Sequence, residues 1–536
     1  MEQGNHQLER CTFAIISHPD AGKTTMTEKL LWFGRVIRKA GMVKSKTGDY
    51  ATSDWMELEK QRGISITSSV MSFEYNNRYL HLLDTPGHKD FSEDTYRTLT
   101  AVESVLMMID SAKGVEEQTK KLMEVCRLRD TPIFTFMNKF DRDSLSPFEL
   151  IDNIEKILSI QCVPMTWPIG DGVDFKGVYD LRTKKIMTYT DLFDPQAPNI
   201  VDASNLESSE VLQLIGETRL VQLKEDLSMV SELIPEFSRE EFLSGMQTLV
   251  FFGSALYNFG VHEVLNNIVE LAPGPKGRLA KVPPYGESGE TVEIPPQDEK
   301  FSGFIFKIQA NMDKKHRDRM SFLRVCSGVF KRHQKIFHVR SQKEIKVSTP
   351  VIFQAKNRDI VEVALPGDII GLYDTGNYQI GDTFTEGQNF QYIGIPSFAP
   401  EFFMKVVLKD PMKAKHLEKG LAQLSQEGAT QIFYPLFGSE KVLGAVGRLQ
   451  FDVVKFRLEE EYNVLCDYQP VNYVGMRWPK FPNSLAQDKF VANYSQYLFK
   501  DIRERLVFAV RSQWDLKLIQ DKNPEIEFFK HSEVTS

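Results

Sequence analysis

The chain has 536 residues, 42% of them hydrophobic and 26% charged, and a net charge of −8. That length makes three or more domains the default, and that composition excludes a disordered or fibrous chain. No apolar run approaches the roughly 18 residues of a membrane span, residues 1–10 carry no apolar signal segment, and the five scattered cysteines form no C-x-x-C pair, so neither a zinc site nor a disulfide framework is indicated and buried thiols in a cytoplasmic protein are expected.

In chain order, the apolar run 12–16 leads into Ser17-His18-Pro19-Asp20-Ala21-Gly22-Lys23-Thr24 and then a predicted helix over 25–32. Strand, tight loop and helix are the setting of a phosphate-binding loop. The backbone N–H groups from Ser17 to Thr25 would converge on phosphate oxygens, helped by the dipole of the helix N-terminus. Lys23 would reach the β- and γ-phosphates and the Thr24 hydroxyl would bind Mg²⁺. Ser17 stands where Gly is commonest, so the motif alone is of moderate specificity.

A polar stretch, 41–61, ends in Arg62-Gly63-Ile64-Ser65-Ile66-Thr67. A predicted strand over 78–83 is broken by Asp84-Thr85-Pro86-Gly87-His88. D-x-x-G after a strand is a second switch element, with Asp84 on Mg²⁺ through water and the Gly87 amide sensing the γ-phosphate. A strand over 104–109, a helix over about 115–128 and a strand over 133–137 follow, the last ending in Asn138-Lys139-Phe140-Asp141; the run 249–252 leads into Ser254-Ala255-Leu256. The alternation predicts a mostly parallel α/β sheet with its ligand at the C-terminal ends of the strands. The Asp141 carboxylate can accept two hydrogen bonds, matching the ring N–H and exocyclic amine of guanine, a pair that adenine lacks. The stem of Lys139 would cover the base and the Ala255 amide would meet the guanine carbonyl. Four ordered motifs at strand ends identify a GTP-binding domain over 1–275.

Within it, about 162–247 reads as an acidic insertion, strands and turns first and helix after; residues 201–250 hold ten acids against three bases. A Pro- and Gly-rich linker is expected at 276–300. Short β-runs then predict a β-barrel domain over 301–395. In it, residues 301–350 hold 12 Lys and Arg against three acids, which points to a face that meets a polyanion, against the plainer alternative of a solvated β surface. Beyond it, a strand over 402–408, a helix over 413–427, strands over 431–435 and 442–446 and a helix over 448–462 predict an α+β, ferredoxin-like domain filling 396–536, with a helix-forming stretch at 496–509.

The loop Pro19 to Lys23, Arg62-Gly63-Ile64-Ser65-Ile66 and Asp84-Thr85-Pro86-Gly87-His88 resemble the translational GTPases. Ser53-Asp54-Trp55-Met56-Glu57, Asn311-Met312-Asp313 with His316-Arg317-Asp318-Arg319, Gly381-Asp382-Thr383-Phe384, and Val446-Gly447 with Leu449-Gln450-Phe451-Asp452-Val453-Val454 carry the likeness over nearly the whole chain, toward the branch that acts in termination. Arg448 stands in a slot expected to be apolar. The length leaves no room for the two further C-terminal domains of elongation factor G. The resemblance implies that His88 orients the attacking water, that Pro19 and Ile64 flank it as an apolar gate, that Ser65, where many relatives have Thr, ligates Mg²⁺, and that Asp20 helps to bind a monovalent cation. It implies GTP hydrolysis to GDP and phosphate with Mg²⁺, stimulated by the ribosome, and promotion of the release of class-I peptide release factors. The implied partners are ribosomal RNA and proteins and those factors, with no membrane or DNA, for a monomer off the ribosome. The basic residues Lys314, Lys315, Arg317 and Arg319 would contact small-subunit RNA. A translocase-like or ribosome-rescue GTPase, and a non-hydrolysing guanine-nucleotide-sensing scaffold, are the rival readings; His88 and Ser65 count against the scaffold.

Overall fold

Strands covered on both faces read as near-continuous apolar runs, and the first part of this chain is built on such strands. The computed structural model describes residues 8–37, 59, 65–189, 198–285, 289–310, 319–354, 357–374, 376–395, 399–438 and 440–530. The expected stretch 41–58, the gate residue Ile64 and the basic residues Lys314, Lys315 and Arg317 lie outside the described residues. Contacts divide the chain into one unit of residues 1–88, 101–276 and 351–369 and another of 89–100, 277–350 and 370–536.

The first unit holds β1 (Glu9–Ser17), β2 (Ser69–Tyr75), β3 (Arg78–Asp84), β4 (Ser104–Asp110), β5 (Ile133–Asn138), β6 (Gln161–Pro164), a small antiparallel sheet of β7 (Thr166–Ile169), β8 (Gly177–Asp180), β9 (Lys185–Tyr189) and β10 (Pro198–Asp202), and β11 (Gln247–Phe252). The main sheet runs β2-β3-β1-β4-β5-β11-β6. It is parallel throughout except for β2, which lies antiparallel to β3. Helix α1 (Lys23–Phe33) contributes Met26, Leu30 and Leu31 to a core shared with Phe13, Leu82, Phe134, Phe136 and Phe251. Parallel register brings the ends of β1, β3, β5 and β11 to one edge. Two features differ from expectation. β2 is an additional strand, and β6, which overlaps the start of the expected insertion, is an edge of the main sheet.

A buried ionic cluster ties residues 365–368 to the far side of this sheet. Asp368 Oδ1 lies 3.0 Å from both Arg10 Nε and His81 Nε2, and its Oδ2 accepts the Leu365 N–H at 2.7 Å. His81 Nδ1 lies 2.8 Å from the Ser72 hydroxyl, and Thr12 donates to the Gly367 carbonyl at 2.8 Å. Arg10, His81 and Asp368 are 6%, 0% and 2% exposed. Burial pushes the Asp368 carboxyl up, but His81 and Arg10 outweigh it and hold the carboxyl below its ordinary value. A depressed carboxyl pKa gives stability that is present above the unfolded value of about 4 and lost as pH falls through the folded one. Asp368→Asn therefore leaves Arg10 buried without its anion. It is expected to lower stability by about 3 kcal/mol at pH 7, read as a lower midpoint of the first denaturant transition, and the gap to the unaltered chain should narrow below about pH 4.

In the second unit the expected linker contains two strands, Arg278–Lys281 and Thr291–Ile294, in a small sheet with Gln391–Tyr392. A curled antiparallel half-barrel follows, ordered Lys343–Lys346, Lys335–His338, Thr383–Thr385, Ser302–Ala310, Arg319–Ser327, Ile369–Tyr373. The later α/β domain begins with Cys466–Pro470, Phe402–Leu408, Val442–Ala445 and Gln431–Pro435 side by side, covered by the helices Ala414–Gln426 and Leu449–Tyr462. This is the split βαβ arrangement. The sheet then continues through Leu498–Lys500, Leu506–Val510, Gly475–Lys480 and Glu527–Phe529. The expected helix over 496–509 is thus a correction. Val507 to Val510 are all buried, and such a continuous apolar run suits a fully covered strand.

Helix α2 (Ser92–Leu99), just after His88, belongs to this second unit. Asp90 Oδ2 accepts the Leu449 N–H at 2.8 Å and so caps the Leu449–Tyr462 helix, whose own N-cap residue, Arg448, makes no side-chain cap. Gly447 permits the approach, since a Cβ there would fall 2.1 Å from Asp90 Cγ. Arg448 stacks its guanidinium 5.2 Å from the Phe402 ring centroid, which explains how a cation occupies a slot expected to be apolar. All five cysteines are buried and none is in a disulfide; burial pushes the Cys126 thiol up to about 12. Among the described residues no helix is long and apolar enough to cross a membrane.

Candidate functional site

The loop between β1 and α1 needs two left-handed residues, and they fall at Asp20 (φ 65°) and Gly22 (φ 97°). Ser17 ends β1 in extended backbone, where a side chain costs nothing, so its departure from Gly is sterically neutral. Gly22 is required twice over. Its φ is left-handed, and a Cβ would lie 2.1 Å from Asn138 Nδ2.

Asn138 binds the loops together. Its Nδ2 donates to the Ala21 carbonyl and its Oδ1 accepts the Ala255 N–H, each at 2.8 Å, in a side chain 3% exposed. The ends of β1, β5 and β11 are thereby held by one amide. Lys139 takes a left-handed φ of 76° and donates to Asp110 Oδ2 at 2.6 Å. Ser254 is buried, its N–H bonded to the Phe259 carbonyl at 3.0 Å, and Phe140 N–H bonds to the Gly253 carbonyl at 3.1 Å. Asp141 is half-buried.

A cavity of about 390 Å³ lies over this edge. It is lined by the loop from Ser17 to Thr25 apart from Ala21, by Ser65, by Gly87 and His88, and by Lys139 and Arg142. The predicted phosphate-binding groups are brought together with His88 and Ser65. Asn138, Asp84, Asp141 and the 254–256 turn lie outside the lining. Gly87 faces the loop, since a Cβ on it would lie 3.4 Å from Pro19 N and 3.5 Å from the Ser17 carbonyl oxygen. Lys23 and Asp84 form an ion pair through Asp84 Oδ1, with side chains 6% and 2% exposed.

The same groups make a donor set for a divalent cation. Asp84 Oδ2 is buried without a hydrogen-bond partner, while Thr24 and Ser65 line the adjoining cavity. One carboxylate oxygen and two hydroxyls are hard oxygen donors that suit Mg²⁺, so the residues fit the ion.

Three contributors escaped sequence reasoning. Glu59, fully buried, accepts the N–H groups of Ile66 (2.9 Å) and Thr67 (3.2 Å) and so fastens the backbone next to Ser65. Arg142 lines the cavity, and its place directly after N-K-F-D was a usable signal. Glu116 lies 3.4 Å from His18 Nε2. Arg319, expected to meet RNA, is 5% exposed and paired with Asp374 at 2.9 Å; a guanidinium so buried and neutralised is unsuited to that contact, which corrects the expectation for this residue.

Asn138→Ala removes both bridging bonds and leaves the Ala255 N–H and Ala21 carbonyl to find other partners. At about 1–3 kcal/mol, GDP affinity should fall about 10- to 100-fold, as measured by titration with a fluorescent GDP analogue.

Three sequence families match the chain: Elongation factor Tu GTP binding domain over residues 9–274, Elongation factor G domain 2 over 300–387, and Class II release factor RF3, C-terminal domain over 392–520. Among solved structures, the chain is similar to a crystal structure of a protein from Thermus thermophilus, with a TM-score of 0.67 and 20% identity over 89% of this chain and 71% of that one; that likeness is one of fold. The cavity at the strand ends thus lies within the part of the chain that matches the GTP binding domain, and the three matches together fit a bacterial RF3-like translational GTPase.

Proposed function

We propose that this protein hydrolyses GTP on the ribosome during termination and thereby promotes the release and recycling of class-I peptide release factors, independently of the stop codon. The observation that carries this reading is the union, in one chain, of the nucleotide cavity containing His88 with the RF3 C-terminal domain match.

Lys23 exchanges its Asp84 partner for the β- and γ-phosphates when nucleotide enters. Thr24, Ser65 and Asp84 would hold Mg²⁺, which would supply positive charge against the charge developing on the phosphates. The loop N–H groups between Ser17 and Thr25, of which Pro19 has none, and the Gly87 N–H stabilise the same charge. His88 orients the attacking water, restrained by Pro19 and Ile64 until the ribosome engages. Asp141 selects guanine, with Lys139 over the base and the Ser254-Ala255-Leu256 turn beside it; the Ala255 N–H, already given to Asn138 Oδ1 at 2.8 Å, is not the donor to the guanine carbonyl that the sequence suggested. The protein acts as a monomer in the cytoplasm, with the ribosome and class-I factors as partners.

The GTPase rate of the pure protein should be slow and should rise with ribosomes; stimulation should accompany release of a bound class-I factor from post-hydrolysis ribosomes. Dependence on tRNA translocation instead would overturn the termination role. His88→Ala should cut the ribosome-stimulated rate by about 10²- to 10⁴-fold with GDP affinity retained. In a separate competition assay, Asp141→Asn should move preference from guanine to xanthine nucleotides, because it reverses the donor and acceptor at the base edge; an unchanged preference removes Asp141 from base selection.

A further inference from the structure

We propose that a second cavity, in the second unit, is a polyanion site that takes the phosphate backbone of folded RNA. This inference rests on the ribosomal reading above and adds a contact surface to it. The cavity encloses about 390 Å³, between the ends of the Ser302–Ala310 and Arg319–Ser327 strands and the two helices of the α/β domain. Its walls carry Lys413, Lys415, His416 and Lys419 from the start of the Ala414–Gln426 helix, facing Arg319 and Glu461.

Two of these charges are already satisfied. Arg319 pairs with Asp374 at 2.9 Å, and Glu461 with Arg457 at 2.7 Å. Lys413, Lys415 and Lys419 have no ion pair among the described residues, whereas nearby Lys409 and Lys441 are matched with Asp467 and Glu418. Two of the unmatched ammonium groups, Lys413 at the N-cap and Lys415 in the first turn, also sit at the wrong end of their helix. The positive pole of the dipole disfavours cations in the first turn, and that turn holds no acid to offset them. Lys415 and Lys419 are four residues apart, so they add like-charge repulsion along one face. A helix that violates its own electrostatic preferences at an exposed, concave spot points to a function, and a bound polyanion relieves both penalties. The ligand chemistry follows. Ammonium groups contact phosphate as mobile point charges. The cavity is also lined by the neutral groups Gln423, Tyr462 and Asn463, the Tyr462 hydroxyl donating to Gln423 Oε1 at 2.9 Å.

The test is the triple variant Lys413→Ala, Lys415→Ala, Lys419→Ala in the full chain; alanine is the best helix former, so folding is not endangered. Binding to purified ribosomes and to protein-free 16S ribosomal RNA is measured between about 50 and 200 mM KCl. Three lost phosphate contacts should make the slope of log K against log salt shallower by about 2–3 with both probes, while GDP affinity is unchanged. The corresponding Lys→Arg triple variant should restore the slope. An unchanged slope overturns the proposal. A slope that changes with ribosomes but not with naked RNA overturns it in favour of an acidic protein surface. If the unaltered chain fails to bind ribosomes, the termination role fails, and the naked-RNA arm still decides this site.

Discussion

One buried carboxamide holds the nucleotide edge in shape. Asn138 spans from the Ala21 carbonyl to the Ala255 amide, so loops leaving three different strands are fixed by two hydrogen bonds from a single side chain. Parallel sheets deliver their loops to a common edge but do not lock them together. The lock must come from a group with both a donor and an acceptor in fixed relation, which Asn provides and Asp does not. The same side chain leaves no space for a Cβ at residue 22, so the glycine of the phosphate loop answers to its neighbour as well as to its own φ.

The second constraint is the placement of the residues that follow His88. His88 lines the cavity at the strand ends, yet Lys89 to Thr100 pack with the second unit, through Asp90 at the start of the Leu449–Tyr462 helix and Lys307 beside Asp94 at 3.4 Å. The division between units therefore falls within one peptide link of the residue proposed to position water. On the other side of the chain, residues 351–369 belong with the first unit, with Asp368 bonded to β1 and β3. Both units include residues from distant parts of the sequence.

Much of the lining of the candidate cavity was legible because the runs that supply it are local. Phosphate loops, switch aspartates and base-selecting turns are runs of a few residues at strand ends, and continuous apolar strands announce themselves. What was not legible depends on distance or on ambiguous period. The pairing of His81 with Asp368 joins residues 287 apart in the chain, and no local pattern encodes it. Glu59 looked like one acid in a polar stretch until its bonds to Ile66 and Thr67 gave it a task. The run from Leu506 to Val510 carries no periodic signature, so the sequence predicts a helix through it, and only the neighbouring strands that cover it make it a strand. The strands within 278–294 were hidden because Pro and Gly around them suggested a linker, and one of them is completed by residues 391–392. Arg448 broke a pattern harmlessly, since an aromatic ring was there to receive it.

The burial of all five thiols has a practical corollary. Alkylating and maleimide reagents attack thiolate, and groups that are both desolvated and sterically covered react slowly. A single cysteine introduced on the surface would then be the preferred attachment point for a fluorophore or spin label, without first removing the native ones. The chain is thus suited to distance measurements between its two units as nucleotide is exchanged, in an otherwise unaltered sequence.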